Sequence, residues 1–331
     1  MTDTKFDVVG IGNAIVDVLS NSEDSFLAKH NLIKGSMTII DDNTAEKLYS
    51  FIDSGVEVSG GSAANTIACI ASVGGSGAFV GKVCKDQLGN VFTDDIRRAG
   101  VYYQTKPDAD GDPTARCLIY VTPDAERTMQ TFLGACTALS PDDIDERVIV
   151  SSKVIYLEGY LYDPPQAKAA FIKAAKVAKK AGRMVSFSLS DQFCVDRHRA
   201  EFLDFVNNYV DVLFANEDEI NSLYQVDSFE EALENVRGAC NIAAVTRGSR
   251  GSVIVSGEKT HFLVAEKVRD IIDTTGAGDS YAAGFLYGLT QGKDLEMCGR
   301  MGGILAADII GDYGARSKND LKVVLDASLR D

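Results

Sequence analysis

The sequence predicts an α/β fold: three layers, with helices on both faces of a mainly parallel central sheet and a small β lid beside it. Three observations carry this. From about residue 140 onward, short apolar runs alternate with helix-length amphipathic stretches, the rhythm of a parallel sheet. Earlier, two strand-like runs, Ala115 to Val121 and Arg127 to Leu133, flank a Thr122-Pro123-Asp124-Ala125-Glu126 turn and break that rhythm, as a flap apart from the main sheet would. Late in the chain, Asp273-Thr274-Thr275-Gly276-Ala277-Gly278-Asp279-Ser280 places a glycine-rich turn at the start of a helix of small residues. Such a turn leaves unpaired backbone N–H groups and a positive dipole end facing one point, a place to hold an anion.

The totals fit one domain over residues 1–331, with the lid drawn from roughly 13–42 and 112–137. The 33 basic residues are outnumbered by 48 acidic ones, a net charge of -15 that speaks against nucleic acid or an anionic membrane as partner. Seven scattered cysteines without a C-x-x-C pair read as reduced thiols, and three separated histidines argue against a histidine metal site. The start of the chain lacks the basic and apolar regions of a secretory leader, and no apolar run is long enough to span a bilayer, so a cytoplasmic protein is expected.

Taken in order, Phe6 to Gly12 reads as a buried strand. Gly10-x-Gly12 is not a dinucleotide fingerprint, because Ile15 stands where the third glycine belongs. Asn13 to Leu19 reads as a strand with Asn13 and Asp17 on one face, an amide and a carboxylate able to grip neighbouring hydroxyls. A strand over Ser36 to Ile40 follows. Gly60-Gly61 before a small-residue helix lets a ligand approach backbone closely, with Asn65 one turn in. Around Gly81-Lys82 the spacing is wrong for a phosphate-binding P-loop, and Val83 replaces the hydroxyl that would hold magnesium. A turn over Asp86 to Gly89 and a helix from Val91 to Gly100 come next.

Strands over Lys153 to Gly159, Met184 to Leu189, Val210 to Ala215 and Ile242 to Thr246 then alternate with helices over Gln166 to Ala181, Arg199 to Asn207 and Phe229 to Ala239. Ligands of such sheets sit at the carboxyl ends of the strands. Asn216 and Glu219 fall there, one turn apart on one helical face, placed to hold a hydrated magnesium ion. Asp279 is the odd residue of the glycine turn, since a carboxylate repels the anion the turn attracts. That placement makes sense if it takes a proton from a hydroxyl attacking a phosphoryl group. Arg127, near the tip of the flap, suits a lid cation over that group.

With Gly60-Gly61-Ser62-Ala63-Ala64-Asn65 near the front and Asp273 to Asp279 near the back, the chain resembles the ribokinase-type (PfkB) carbohydrate and nucleoside kinases over its whole length. The opening Val9 to Asp17 and Glu126-Arg127-Thr128 resemble the adenosine kinase branch. The resemblance implies ATP and Mg2+ as cofactors and transfer of phosphate to a nucleoside hydroxyl, adenosine to AMP. A sugar kinase of ribokinase or fructokinase type and an inosine-guanosine kinase stay open beside it. It implies that Asn13, Asp17, Gly61 and Asn65 hold the ribose and that Gly276, Ala277 and Gly278 form the anion hole beside Asp279. Asn216, Glu219, Thr246, Gly248 and Gly278 serve ATP and its metal, and Arg127 approaches the phosphates. By motif position Met37, Met129, Phe132, Tyr160 and Leu161 form the base pocket. Asp273 and Thr275 are implied as a monovalent-cation site, potassium being the ion expected. Small molecules are the expected partners, with the protein a monomer or homodimer.

Overall fold

The computed structural model describes residues 4–124, 126–268 and 270–330. Met1 to Asp3 of the expected leaderless start, and Ala125 of the expected lid turn, lie outside them. In chain order the strands are β1 (Phe6–Ile11), β2 (Ile15–Asn21), β3 (Met37–Ile39), β4 (Val56–Gly60), β5 (Gly77–Val80), β6 (Tyr102–Tyr103), β7 (Ala115–Val121), β8 (Arg127–Phe132), β9 (Ser152–Glu158), β10 (Met184–Ser188), β11 (Val212–Asn216), β12 (Ile242–Thr246), β13 (Ser252–Ser256) and β14 (Lys259–Leu263).

Among the described residues nine of these form one sheet, in the order β14-β13-β12-β11-β10-β9-β1-β5-β6. It is parallel from β12 to β6, and antiparallel where β13 and β14 close the other edge. Alternation along its strands supplies a core on each face. Val9, Ile11, Ile155, Leu157, Val185 and Phe187 pack against the helices Pro165–Lys180 and Gln192–Tyr209. Val8, Phe79, Val154, Tyr156 and Phe214 pack on the other side against the helices Ser62–Ser72 and Ala277–Thr290. A parallel sheet covered on both faces needs such apolar runs, which is why these strands read as continuous hydrophobic stretches.

The second sheet, β3-β8-β7-β2-β4, forms the lid. β7 and β8 are the expected hairpin, paired from Arg116↔Phe132 to Val121↔Arg127. The sheet reaches beyond the expected 13–42, because β4 pairs antiparallel with β2 in the register Ile15↔Gly60 to Leu19↔Val56. Two helices start earlier than expected. Asp86 caps a helix at Gln87–Arg98 rather than closing a turn, and Asp191 caps one at Gln192–Tyr209, with a break in helical geometry at His198. In both, a side-chain oxygen accepts an N–H of the first turn, from Gly89 and Cys194 respectively. No helix of the described residues is long and apolar enough to cross a membrane.

The helix that starts at Ala277 is seated on the helix Leu295–Ile309, backbone against backbone. A Cβ on Gly284 would lie 2.5 Å from the Met301 carbonyl oxygen, and one on Gly302 would lie 2.7 Å from that of Tyr281. Neither neighbour is a side-chain tip that can swing away. We expect Gly284→Val to destabilise the fold by about 2–3 kcal/mol through overpacking, read as a lowered urea midpoint with an unchanged slope.

Candidate active site

The carboxyl ends of β1, β9, β10, β11 and β12 open on a cavity of about 860 Å³, which the lid sheet covers from the other side. Of the residues singled out in the sequence, Asn13, Asp17, Met37, Gly61, Asn65, Met129, Tyr160, Asn216, Glu219, Thr246, Thr275, Gly276, Ala277, Gly278 and Asp279 all line it. Residues more than 260 positions apart in the chain thus meet around one space.

The lid contributes by strand period. On β8 and just beyond it, Met129, Thr131 and Leu133 face the cavity. Phe132 is one residue out of phase, and its ring lies against the Arg116 guanidinium, 5.6 Å away. The expected place for Phe132 in a base pocket is therefore wrong. Thr131 and Leu133 stand where it was sought. Leu161 is likewise absent from the wall, buried in the main core at the short turn after β9. Gly248 sits in an open turn beyond β12 and also stays out of the cavity.

Asn13 is not in a strand but in the short link between β1 and β2, where its N–H donates to Glu158 at 2.7 Å. The other oxygen of Glu158 accepts the Ala63 N–H at 2.5 Å. Gly61, just before that helix, has φ of +99° and lies so close to Asn13 that a Cβ would meet its carbonyl at 2.2 Å. Only glycine fits there. Glu158 is fully buried, and burial pushes its carboxyl up to about 7 against the pull of those two N–H groups. It was missed in the sequence, although its position at the carboxyl end of a parallel strand was visible.

Asp279 stands in the first turn of the helix Ala277–Thr290, after Gly276 at φ +77°. The Ser62 hydroxyl donates to one of its oxygens at 2.6 Å, and the Asn65 amide lies 3.4 Å from the other. Enclosure raises Asp279 from 3.8 to about 6, partly offset by these two donors. Asp17 is also held up to about 6, first by burial, with Arg127 and Arg316 pulling it down and Asp279 pushing it up. In the glycine turn the Ala277 N–H reaches the Thr274 carbonyl at 3.2 Å, the long end of the usual range.

Arg127 reaches away from the cavity wall. Its guanidinium pairs with Asp273 and donates to the Thr275 hydroxyl at 3.1 Å, joining the lid strand to the glycine turn. Asp273 is fully engaged. One oxygen accepts the Thr275 N–H and hydroxyl at 3.0 and 2.7 Å, and the other accepts the Gly314 N–H at 2.9 Å beside Arg127. Burial raises the Asp273 carboxyl, but these partners outweigh it and hold it below the ordinary value. A monovalent cation does not fit a carboxylate already neutralised by a guanidinium and surrounded by donors. Asp273 itself does not line the cavity.

Asn216 and Glu219 form a reciprocal cap. The Glu219 N–H donates to Asn216 at 2.8 Å, and the Asn216 N–H and side-chain amide donate back at 3.0 and 2.6 Å. Glu219 is pushed up to about 7 by burial, a cost that a neighbouring cation would relieve. Among the described residues no cluster of three or more histidine, cysteine, aspartate or glutamate side chains is placed to cage a bare ion. The pair fits a magnesium ion that keeps its waters.

The early start of the helix at Gln192 brings Phe193, Cys194 and Arg197 to the cavity wall, none of them singled out in the sequence. Because Asp273 carries its own counter-charge, we expect replacing potassium by choline to leave the initial rate of the reaction unchanged. Arg127→Ala, which removes that charge, should make the rate respond to potassium.

Residues 38–322 match the family model described as pfkB family carbohydrate kinase. The structure of adenosine kinase from Sinorhizobium meliloti superposes with a TM-score of 0.90 at 48% identity, over 98% of this chain and 100% of that one. A probable sugar kinase from Rhizobium etli CFN 42 does so equally, with a TM-score of 0.90 and 49% identity over 98% and 99% of the two chains. The adenosine kinase of Saccharomyces cerevisiae is 29% identical over 332 residues, covering 93% of this chain and 95% of the relative. A glycine turn carrying an aspartate, a five-stranded lid sheet and these likenesses agree: the chain belongs to the pfkB family of carbohydrate kinases, with the ribokinase-like fold, and is an ATP-dependent kinase.

Proposed function

We propose that the protein transfers the γ-phosphoryl group of ATP to the 5′-hydroxyl of adenosine, giving AMP. The observation that carries this reading is the composition of this cavity. Hydroxyl-gripping groups (Asn13, Asp17, Asn65) and Asp279 lie in the same space as an apolar wall of Met37, Ile39, Ile119, Met129 and Leu133, with Tyr160 on the core side. A bare sugar has no use for that wall, whereas a purine ring needs one. The likeness to the Sinorhizobium meliloti adenosine kinase supports the same substrate.

In this reading Asp17, Asn13 and Asn65 hold the ribose so that the 5′-hydroxyl meets Asp279. Ser62 and Asn65 each occupy one oxygen of Asp279 and fix the carboxylate plane. Even when raised to about 6, the acid is far weaker as a base than an alkoxide. It therefore takes the proton late, as the new P–O bond acidifies the hydroxyl. Backbone N–H groups of Gly276 and Gly278, with that of Ala277 once drawn from Thr274, face the moving phosphoryl group. Asn216 and Glu219 would hold hydrated magnesium, which supplies neutralising charge to the phosphates. Thr246 contributes a hydroxyl at the same end of the cavity. Arg127 ties the lid to the turn that carries Asp279, so lid closure and the seating of the acceptor are one event that excludes water.

The test is ATP consumption with magnesium across adenosine, inosine, guanosine, ribose and fructose. We expect turnover on adenosine, reduced about 10²–10⁴-fold in Asp279→Asn, which keeps the shape but takes no proton. Turnover on a free sugar alone would replace the substrate and keep the mechanism.

The acid limb of activity follows from the same group. Asp279 works only when ionised, so the rate falls as pH drops through about 6. Asp279 and Asp17 both have folded-state values above 3.8. The folded protein therefore binds their protons more tightly than the unfolded chain, and between 3.8 and about 6 these two groups favour the fold as pH falls. Rate and far-ultraviolet circular dichroism measured together should show activity lost through pH 6 with the fold intact.

A further inference from the structure

We propose that Arg316 is a positioning residue for the proton acceptor: it sets the face of the Asn65 amide so that the NH2 group, not the oxygen, points at Asp279. The inference rests on Asp279 being that acceptor.

Arg316 stands on the loop after the helix Leu295–Ile309, and this loop is pressed on the glycine turn. Gly314 donates to Asp273 at 2.9 Å, and a Cβ on Gly276 would lie 2.9 Å from the Ala315 Cα. From there the guanidinium directs its three nitrogens to three elements. Nη2 donates to the Ser59 hydroxyl on β4 at 2.7 Å, Nη1 to Asp95 on the helix Gln87–Arg98 at 3.2 Å, and Nε to Asn65 Oδ1 at 3.4 Å. Asp95 in turn accepts the Ser59 N–H and hydroxyl at 2.9 and 2.7 Å, which braces the fork from behind.

A carboxamide has two faces of nearly equal shape and opposite polarity. A guanidinium carries donors only and a carboxylate acceptors only. Asn65 lies between one of each, so only one orientation is favourable: oxygen to Arg316, NH2 to Asp279. Both contacts measure 3.4 Å, too long for strong hydrogen bonds. The choice of face therefore follows from charge. Without Arg316 one of the two biases on the amide is lost, and the oxygen spends more time toward Asp279, where it repels the ionised carboxylate and misdirects it. Sequence reading gave no hint of this, since Arg316 lies outside every motif and some 250 residues from its partner.

The titratable and charged groups around Asp279 are Asp17 on β2, Glu158 at the end of β9, Cys69 on the Ser62–Ser72 helix, and Tyr156 and Tyr160; Arg127 and Arg316 are the cations that act on Asp17. The experiment uses wild type, Arg316→Met, Arg316→Lys, Asn65→Ala and the Arg316→Met/Asn65→Ala pair. pH–rate profiles are taken with whichever acceptor the wild type turns over. Alongside, the Asp279 carboxyl is titrated by 13C NMR in protein labelled at aspartate, assigned with Asp279→Asn.

We expect Arg316→Met to lower kcat by about 10- to 100-fold and to move both the acid limb and the NMR titration to higher pH. Arg316→Lys should recover part of each, and the double variant should be no worse than Asn65→Ala alone. Additive losses, or an Asp279 titration that stays put in the Arg316 variants, would overturn the inference and leave Arg316 a brace for β4. If Arg316→Met does not fold, the titration in Arg316→Lys decides alone. A wild type inactive on all acceptors would overturn the proposed function, while the titration still tests Arg316.

Discussion

Glu158 accepts two backbone N–H groups at the end of β9, one from the link between β1 and β2 and one from the start of the Ser62–Ser72 helix. Asn13 and Asp17 lie along the first segment, and Gly61, Ser62 and Asn65 along the second. The geometry of the proposed hydroxyl grip, and of the donors to Asp279, therefore hangs on a carboxylate that holds the main chain of both segments. Its partners are those backbone groups and the Asn13 side chain rather than a cation, so the cost of burying it is offset by hydrogen bonds alone. Gly12 completes the arrangement, since a Cβ there would lie 2.4 Å from the Glu158 carboxyl. Main-chain segments positioned in this way cannot be repaired by choosing another rotamer.

The electrostatics of the cavity are unusual for a site that receives a polyanion. Asp17, Glu158, Asp163, Asp191, Glu219 and Asp279 line it, and among the described residues Arg197 is its one basic wall residue. The protein as a whole carries -15. Attraction for phosphate must then come from the start of the Ala277–Thr290 helix and from the cation that accompanies ATP. Arg127 and Arg316 work differently. Each is paired with a carboxylate of the protein, Asp273 for Arg127 and Asp95 for Arg316, and so is not free to neutralise a phosphate.

Much of the layout was legible in the sequence because it is written in local signals. Strand–helix alternation, the hairpin of β7 and β8, and the glycine turn before Asp279 each depend on neighbours within a few residues. The errors have equally local causes. Motif position points to Phe132 for the pocket, but period two puts Thr131 and Leu133 there. The β-branched alternation of Ala14 to Val18 draws Asn13 into a strand reading, while the chain leaves β1 at Ile11 and Asn13 meets Glu158 before β2 begins. The helices at Gln87 and Gln192 were started late because their aspartate caps were read as turn or loop. Glu158, Arg316 and the pairing of Arg127 with Asp273 stayed hidden for another reason. Each is defined by a partner more than 90 residues away, and no periodicity reports such a contact.

The cavity has two walls of different stiffness. The wall proposed to grip hydroxyls carries the buried Asn13 and Asn65 on segments whose main chain Glu158 holds. The lid wall presents Met37 and Ile39 from β3, an edge strand paired only with β8, and both side chains are half exposed at 50% and 55%. Thioether and branched aliphatic chains repack around different ring shapes, and an apolar surface rejects an altered substituent weakly. A missing hydroxyl, by contrast, strands a buried polar partner. In the proposed reading, an acceptor would be read strictly at its sugar and loosely at its base. On that reading, base-modified analogues are expected to be accepted where deoxy ones are not.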